Sequence, residues 1–326
     1  MSKISLKKRI KKGLLLLDGA MGTQLIAGGI EPGRCNDYLN IESPDIVSNI
    51  HRAYLRAGSD AVLTNTFGAN KFALARHGLA EKVEEINAAG AQIARKAAGE
   101  QKYVLGDIGP AGDFLKPLGN LEPQDLKEAF TLQAKALVAG GVDGLIIETI
   151  TALDEAAIAI EAAKSACENL PVFASFAFDY VGGDFRTMMG VNVESAVSKA
   201  LSLGVDAVGF NCGSATLEEY IELAQKFVSE IMAFENTRAT SDERRLSAVA
   251  SAKAETTILA EPNAGKPELI NGKTVYKVSP EDFASAAEKI HSLGVNIIGG
   301  CCGTTSAHID AMVKKIKKCL LKNNPL

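Results

Sequence analysis

One phrase returns four times along the chain, and it constrains the fold more than any other feature. It reads Ala57-Gly58-Ser59-Asp60-Ala61-Val62, then Gly140-Gly141-Val142-Asp143-Gly144-Leu145. It returns as Leu203-Gly204-Val205-Asp206-Ala207-Val208 and as Leu293-Gly294-Val295-Asn296-Ile297-Ile298. Each copy follows a helical stretch and precedes an apolar run. The glycine suits the left-handed turn that ends a helix, and the aliphatic run suits a strand buried on both faces. Repeated junctions of this kind predict βαβ units around a parallel sheet.

Counting apolar runs gives the candidate strands Leu14–Leu17, Ala61–Asn65, Tyr103–Ile108, Gly144–Glu148, Val172–Phe178, Ala207–Asn211, Thr257–Glu261 and Asn296–Gly300, separated by Ala-rich helical segments such as Lys82–Ala98 and Asp154–Glu168. Eight strand–helix units predict a single (β/α)8 TIM barrel spanning residues 1–326. A doubly wound open sheet is the competing architecture. It usually has fewer strands and a phosphate loop after the first, whereas Asp18-Gly19-Ala20-Met21-Gly22-Thr23 matches neither GxGxxG nor GxxxxGK[ST]. Residues 1–13 read as a basic, solvated helical extension. The stretch 234–257, rich in Ala, Ser, Thr, Arg and Glu, reads as a solvated helix and loop or as an insertion acting as a lid or docking element.

Composition narrows the function. With a formal net charge of −4 and no basic stretch beyond the N-terminal residues, the chain offers no nucleic-acid surface. The apolar run Leu14–Leu17 is too short for a signal peptide or a membrane span, so a cytoplasmic location is expected. The six cysteines are then expected as thiols rather than a disulfide framework.

In such a barrel the chemistry gathers at the C-terminal strand ends. Here those ends are polar: Asp18, Asn65 and Thr66, Asp107, Glu148 and Thr149, Asn211 and Cys212, Glu261 and Asn263, Cys301 and Cys302. A single Asp or Asn at such a place is usually a cap or turn residue, but a ring of them points to a site. Adjacent residues of a strand face opposite ways, so Cys301 and Cys302 converge only where the strand has ended, and Gly299, Gly300 and Gly303 let the chain turn there. Cys212 ends the strand two places round the barrel, roughly 10 Å away. Three thiolates meeting above strand seven fit zinc, with about 2.3 Å to each sulfur and one tetrahedral position left open, as in a catalytic site. Asn263, beyond strand seven, is placed to fill that position with a displaceable side-chain oxygen, or else merely shapes the turn before Gly265. Cys35, Cys167 and Cys319 are expected to be structural or surface thiols. His51, His77, His291 and His308 form no ligand-spaced pair and are expected to take no part in catalysis. A vicinal dithiol redox protein and a non-catalytic zinc-binding subunit remain alternatives of another class.

The segments Asp18–Thr23, Asn211-Cys212-Gly213 and Gly299-Gly300-Cys301-Cys302-Gly303-Thr304-Thr305 together resemble the homocysteine S-methyltransferase family. Glu261-Pro262-Asn263-Ala264-Gly265-Lys266-Pro267 is most similar to the homocysteine-binding module of cobalamin-dependent methionine synthases. The resemblance runs from about Leu14 to about Lys318. It implies a (β/α)8 barrel with Cys212, Cys301 and Cys302 as ligands of one Zn2+. It further implies Asp18 and Glu148 on the amino group of homocysteine, and the backbone of Gly19, Ala20, Met21, Gly22 and Thr23 on its carboxylate. The activity implied is methylation of a zinc-bound thiolate to give methionine. A sulfur-only ligand set keeps that thiolate electron-rich, and the thiolate is the nucleophile. Folate- and cobalamin-binding modules are not expected within these 326 residues beside the barrel, so methylcobalamin is expected on a separate corrinoid protein. A small donor such as S-methylmethionine, S-adenosylmethionine or a betaine is the second reading. The absence of Trp mildly disfavours the betaine.

Overall fold

The computed structural model describes residues 3–241, 256–270 and 273–323. Its main sheet has eight strands: β1 (Leu15–Leu16), β2 (Ala61–Leu63), β3 (Tyr103–Ile108), β4 (Gly144–Ile150), β5 (Val172–Phe176), β6 (Ala207–Asn211), β7 (Thr257–Glu261) and β8 (Ile297–Ile298). Every recorded neighbour pair in it is parallel, running β1-β8-β7-β6-β5-β4-β3-β2. Three predicted strands match to the residue: β3, β6 and β7. Short hairpins follow β5 (Asp179–Val181 with Asp184–Arg186) and β7 (Glu268–Ile270 with Lys273–Val275). Both were unexpected from the sequence.

The remaining edge, between β1 and β2, is bridged largely by side chains. Asp60 N–H donates to Leu16 O at 2.7 Å, and the Asp60 carboxylate accepts Leu16 N–H at 3.2 Å. Higher up, both oxygens of Asp18 take Leu63 N–H, at 3.2 and 3.1 Å. The ring therefore closes with eight strands and their helices, a (β/α)8 barrel.

The recurring phrase has a physical reason. Its four glycines, Gly58, Gly141, Gly204 and Gly294, all have positive φ, between 71° and 109°. The polar residue two places on starts the next pairing. The N–H groups of Asp60, Asp143, Asp206 and Asn296 donate to Leu16, Val104, Val172 and Ile258 respectively. The carboxylates of Asp143 and Asp206 take the amides of Val104 and Val172 in return, at 2.8 and 3.1 Å.

The N-terminal extension departs from expectation. Its helix Leu6–Arg9 is not simply solvated: Leu6 and Ile10 are 1 % exposed and pack with Leu15, Leu105, Phe173 and Leu259 at the foot of the barrel. The basic residues there meet the aspartates of the phrase: Lys3 with Asp143 at 2.8 Å, Lys7 with Asp206 and Arg9 with Asp60 at 3.3 Å. Basic character at the start is thus the counter-charge of the strand-initiating acids. Inside the barrel, inward residues such as Leu15, Leu17, Ile146 and Ile297 form this lower core, while the outward set, including Leu16, Val62, Val104 and Val208, packs under the helices. That is the two-residue alternation of a strand. Of the suspected insertion 234–257, residues up to Ser241 continue the helix Leu217–Ser241 and residues 242–255 lie outside the described part. Among the described residues no helix is long and apolar enough to cross a membrane, and no disulfide forms.

Candidate metal centre and substrate cavity

The upper half of the barrel is hollow. A cavity of about 490 Å³ opens there, and its wall includes Asp18, Asp107, Glu148, Glu261, Cys212, Cys301 and Cys302. The strand ends named from the sequence thus converge on one space.

The three cysteines come together through unusual backbone. Cys212 has φ of 53° and Gly213 of 80°, so the chain leaves β6 through two left-handed residues. A Cβ on Gly213 would stand 2.0 Å from Phe178 O, so the crossing accepts only glycine. Tyr220 Oη donates to Cys212 O at 2.7 Å and fixes the turn. On the other side, Cys301 N–H donates to Pro262 O at 2.8 Å, and Cys301 O takes both N–H and Oγ1 of Thr304. Gly303, with φ of 81°, then passes under Tyr276. His308 ties the following helix down, its ring nitrogens meeting Thr305 and Val278 O, in keeping with a structural role.

The result is three sulfurs within 4.8 Å of one another, the only such metal-ligand group among the described residues. Sulfurs around a tetrahedral zinc stand roughly 3.8 Å apart, from bonds of about 2.3 Å. The thiols lie close enough to shift one another's acidity. Hydrogen bonds from Cys212 and Cys301, helped by Tyr276, push Cys302 down to about 3, while hydrogen bonding to Cys212 and Cys302 raises Cys301. Asn211 Nδ2 lies 3.9 Å from Cys301 Sγ. Asn263 is buried, its Nδ2 donating to Gly213 O at 2.7 Å, while its Oδ1 is buried with no partner. An orphan carbonyl oxygen on a side chain tied to Gly213, the neighbour of Cys212, fits a soft divalent ion with one exchangeable oxygen ligand. The donor set present therefore suits zinc.

Carboxylates line the same cavity. Glu148 stands where the β4–β5 register shifts between Ile147 and Ile150, and the next residue, Thr149, has φ of 61°. A β-branched residue rarely adopts that conformation, and a bulge is a known way to re-aim a side chain. Asn211 holds it: its Oδ1 accepts Thr149 N–H and Ser175 Oγ, and its Nδ2 donates to Thr149 Oγ1 at 2.7 Å and Glu148 Oε2 at 3.2 Å. Burial, with the nearby Cys212 charge, pushes Glu148 up to about 8. Burial likewise raises Asp18, against the hydrogen bond from Leu63, and raises Asp107 and Glu261, which also repel one another and Glu148. Asp107 and Glu261 each keep one buried oxygen without a partner. The sequence put both at strand ends but not among the site residues. Their signal was the same as that of Asp18 and Glu148.

The loop Gly19–Thr23 lines the cavity, and Gly19 is packed so closely that a Cβ would lie 2.7 Å from Thr304 Oγ1 and 2.8 Å from Tyr54. Of its amides, that of Ala20 is already given to Thr304 Oγ1 at 3.0 Å. Thr23 Oγ1 accepts Gly303 N–H, joining this loop to the cysteine loop.

Asp37 sits farther out on the cavity wall, accepting Gly68 N–H at 2.9 Å. Burial pushes its pKa up to about 6 from 3.8. A carboxyl raised in the folded state holds its proton more tightly there, so its contribution to stability is full below pH ~4, falls as pH rises to ~6 and is flat above, a difference of about 3 kcal/mol. Asp37→Asn keeps an acceptor for Gly68. It is expected to stabilise the fold by up to ~3 kcal/mol at pH 8 and hardly at all at pH 4. Urea titrations at the two pH values check this; equal gains at both would contradict it.

Comparison with known proteins agrees with this architecture. The sequence pattern of the family described as Homocysteine S-methyltransferase matches residues 15–316. The chain is 34 % identical over 333 residues to methionine synthase of Mycobacterium tuberculosis and 31 % over 335 residues to that of Mycobacterium leprae, matching 95 % and 96 % of this chain. It spans only a quarter of the length of these relatives, 25 % of each. The solved homocysteine methyltransferase MmuM of Escherichia coli, in its metallated form, shares the fold with a TM-score of 0.70 and 22 % identity, over 93 % of this chain and 96 % of that one. With that match covering almost the whole barrel, the chain belongs to the homocysteine S-methyltransferase family.

Proposed function

We propose that this chain methylates the sulfur of homocysteine to give methionine, with Cys212, Cys301 and Cys302 holding one zinc ion at the floor of the cavity. The observation that carries the reading is the meeting of three cysteine sulfurs within 4.8 Å in a cavity that is also lined by Asp18, Asp107, Glu148 and Glu261. A bound zinc supplies one thing, the conversion of a thiol into a metal-held thiolate near neutral pH.

The protein's own groups do the rest. Glu148, turned inward by the bulge, and Asp18 receive the ammonium group of the substrate. The amides of Gly19, Met21, Gly22 and Thr23 face its carboxylate, while that of Ala20 stays with Thr304. Asn263 Oδ1 would complete the set that holds the ion, as a displaceable fourth ligand beside the three cysteines. Its orphaned state supports this.

The donor we favour is a methyl-corrinoid on a separate protein, in line with the likeness to one quarter of much longer methionine synthases. A small donor is the second reading, favoured by a cavity that continues past the carboxylates to Arg34, Arg76 and His77. A reducing, cytoplasmic setting suits a site built from thiols. The test is methionine formation from homocysteine with methylcobalamin, S-methylmethionine, S-adenosylmethionine or a betaine, each offered to the zinc-loaded chain. Methionine from methylcobalamin is expected. Product from a small donor alone overturns the corrinoid assignment, and no product from any donor overturns the reading itself.

A further inference from the structure

The carboxylates of the cavity differ in what they already hold. Asp18 accepts Leu63 N–H and Glu148 accepts Asn211 Nδ2. Asp107 is 6 % exposed, and its Oδ1 is buried with no hydrogen-bond partner. Its backbone is pinned, N–H to Thr64 Oγ1 at 2.9 Å and O from Thr66 Oγ1 at 2.7 Å, which holds the residue in the cavity wall. Asp107 stands on β3, across the barrel from β7, and β7 lies between the strands that end in Cys212 and Cys301. Glu261 shares the orphan oxygen but sits on β7 itself, on the metal side.

An ammonium group has three N–H donors. Asp18 and Glu148 offer two acceptors, each already shared with the protein. Asp107 lines the wall opposite the sulfurs with a carboxylate that no protein donor is seen to meet, and it supplies the third; a buried carboxylate without a donor costs stability unless a ligand meets it.

Resting on the function proposed above, we propose that Asp107 is a substrate-binding residue that receives the ammonium group of the amino-acid thiol and makes the site select for it. An amino acid whose sulfur sits at the cysteines extends its amine away from them, across the cavity toward β3. Asp107 therefore reads the α-amino group, and thiols lacking it are refused.

The test measures binding of homocysteine and of 4-mercaptobutanoate, the same molecule without its amino group, to the zinc-loaded chain by calorimetry. The native chain is expected to prefer homocysteine strongly. Asp107→Asn is expected to weaken homocysteine about 10- to 100-fold, the range for a lost charged hydrogen bond, leaving 4-mercaptobutanoate and zinc content unchanged and the melting temperature no lower than that of the native chain. A collapse in selectivity is something a merely structural role does not produce. Equal homocysteine binding by variant and native chain overturns the assignment, as does an equal loss of both ligands. A native chain that binds 4-mercaptobutanoate as well as homocysteine also overturns it, whatever the variant does. A native chain that binds neither thiol overturns the parent function, and the assignment falls with it.

Discussion

The Cys301→Ala chain is expected to hold zinc more than about 100-fold more weakly than the native chain and to form no methionine. Groups that only support a metal ligand already cost ~10–100-fold when removed, and Cys301 is proposed as a ligand itself. The variant should nonetheless fold. The bonds that shape this loop run through the backbone, from Cys301 N–H to Pro262 O and from Thr304 to Cys301 O, and none needs the thiol. Metal analysis, a melting curve and a methyl-transfer assay on one preparation separate the effects. Undiminished activity in the metal-free variant contradicts the account.

Gly213→Ala removes no ligand, yet a loss of metal affinity of at least ~10-fold is expected, with a loss of ~1–3 kcal/mol of stability. Its new Cβ meets a backbone oxygen, Phe178 O at 2.0 Å, at a φ of 80°. Relief of that clash moves Cys212, and it also moves Gly213 O, which orients Asn263. Gly182→Ala is the control. Its φ is 61° and nothing lies within 4 Å of its added Cβ, so it carries the strain without the clash. Chelator competition and urea unfolding of both variants distinguish them. Equal zinc affinity in the two chains contradicts the role of this turn.

Much of this was legible in the sequence, for reasons that are local. The four glycine phrases predict strand starts because a left-handed turn and a buried aliphatic run are neighbours in the chain, and Gly58, Gly141, Gly204 and Gly294 do turn that way. The three cysteines were legible because strand ends in a barrel meet. What escaped is long-range. The pairing of Lys3, Lys7 and Arg9 with the phrase aspartates joins residues distant in the chain, so the basic start looked merely solvated. The bulge at Glu148 depends on Asn211 of another strand, and no pattern within β4 announces it. Asp107 and Glu261 stood among the polar strand ends, but only the absence of a protein partner distinguishes them from turn formers, and that absence is a three-dimensional fact.

X-ray absorption at the zinc edge, recorded on the zinc-loaded chain before and after homocysteine, tests the central claim most directly. About one zinc per chain is expected, with three sulfurs and one oxygen or nitrogen before and four sulfurs after. A sulfur count that does not change on adding homocysteine contradicts it.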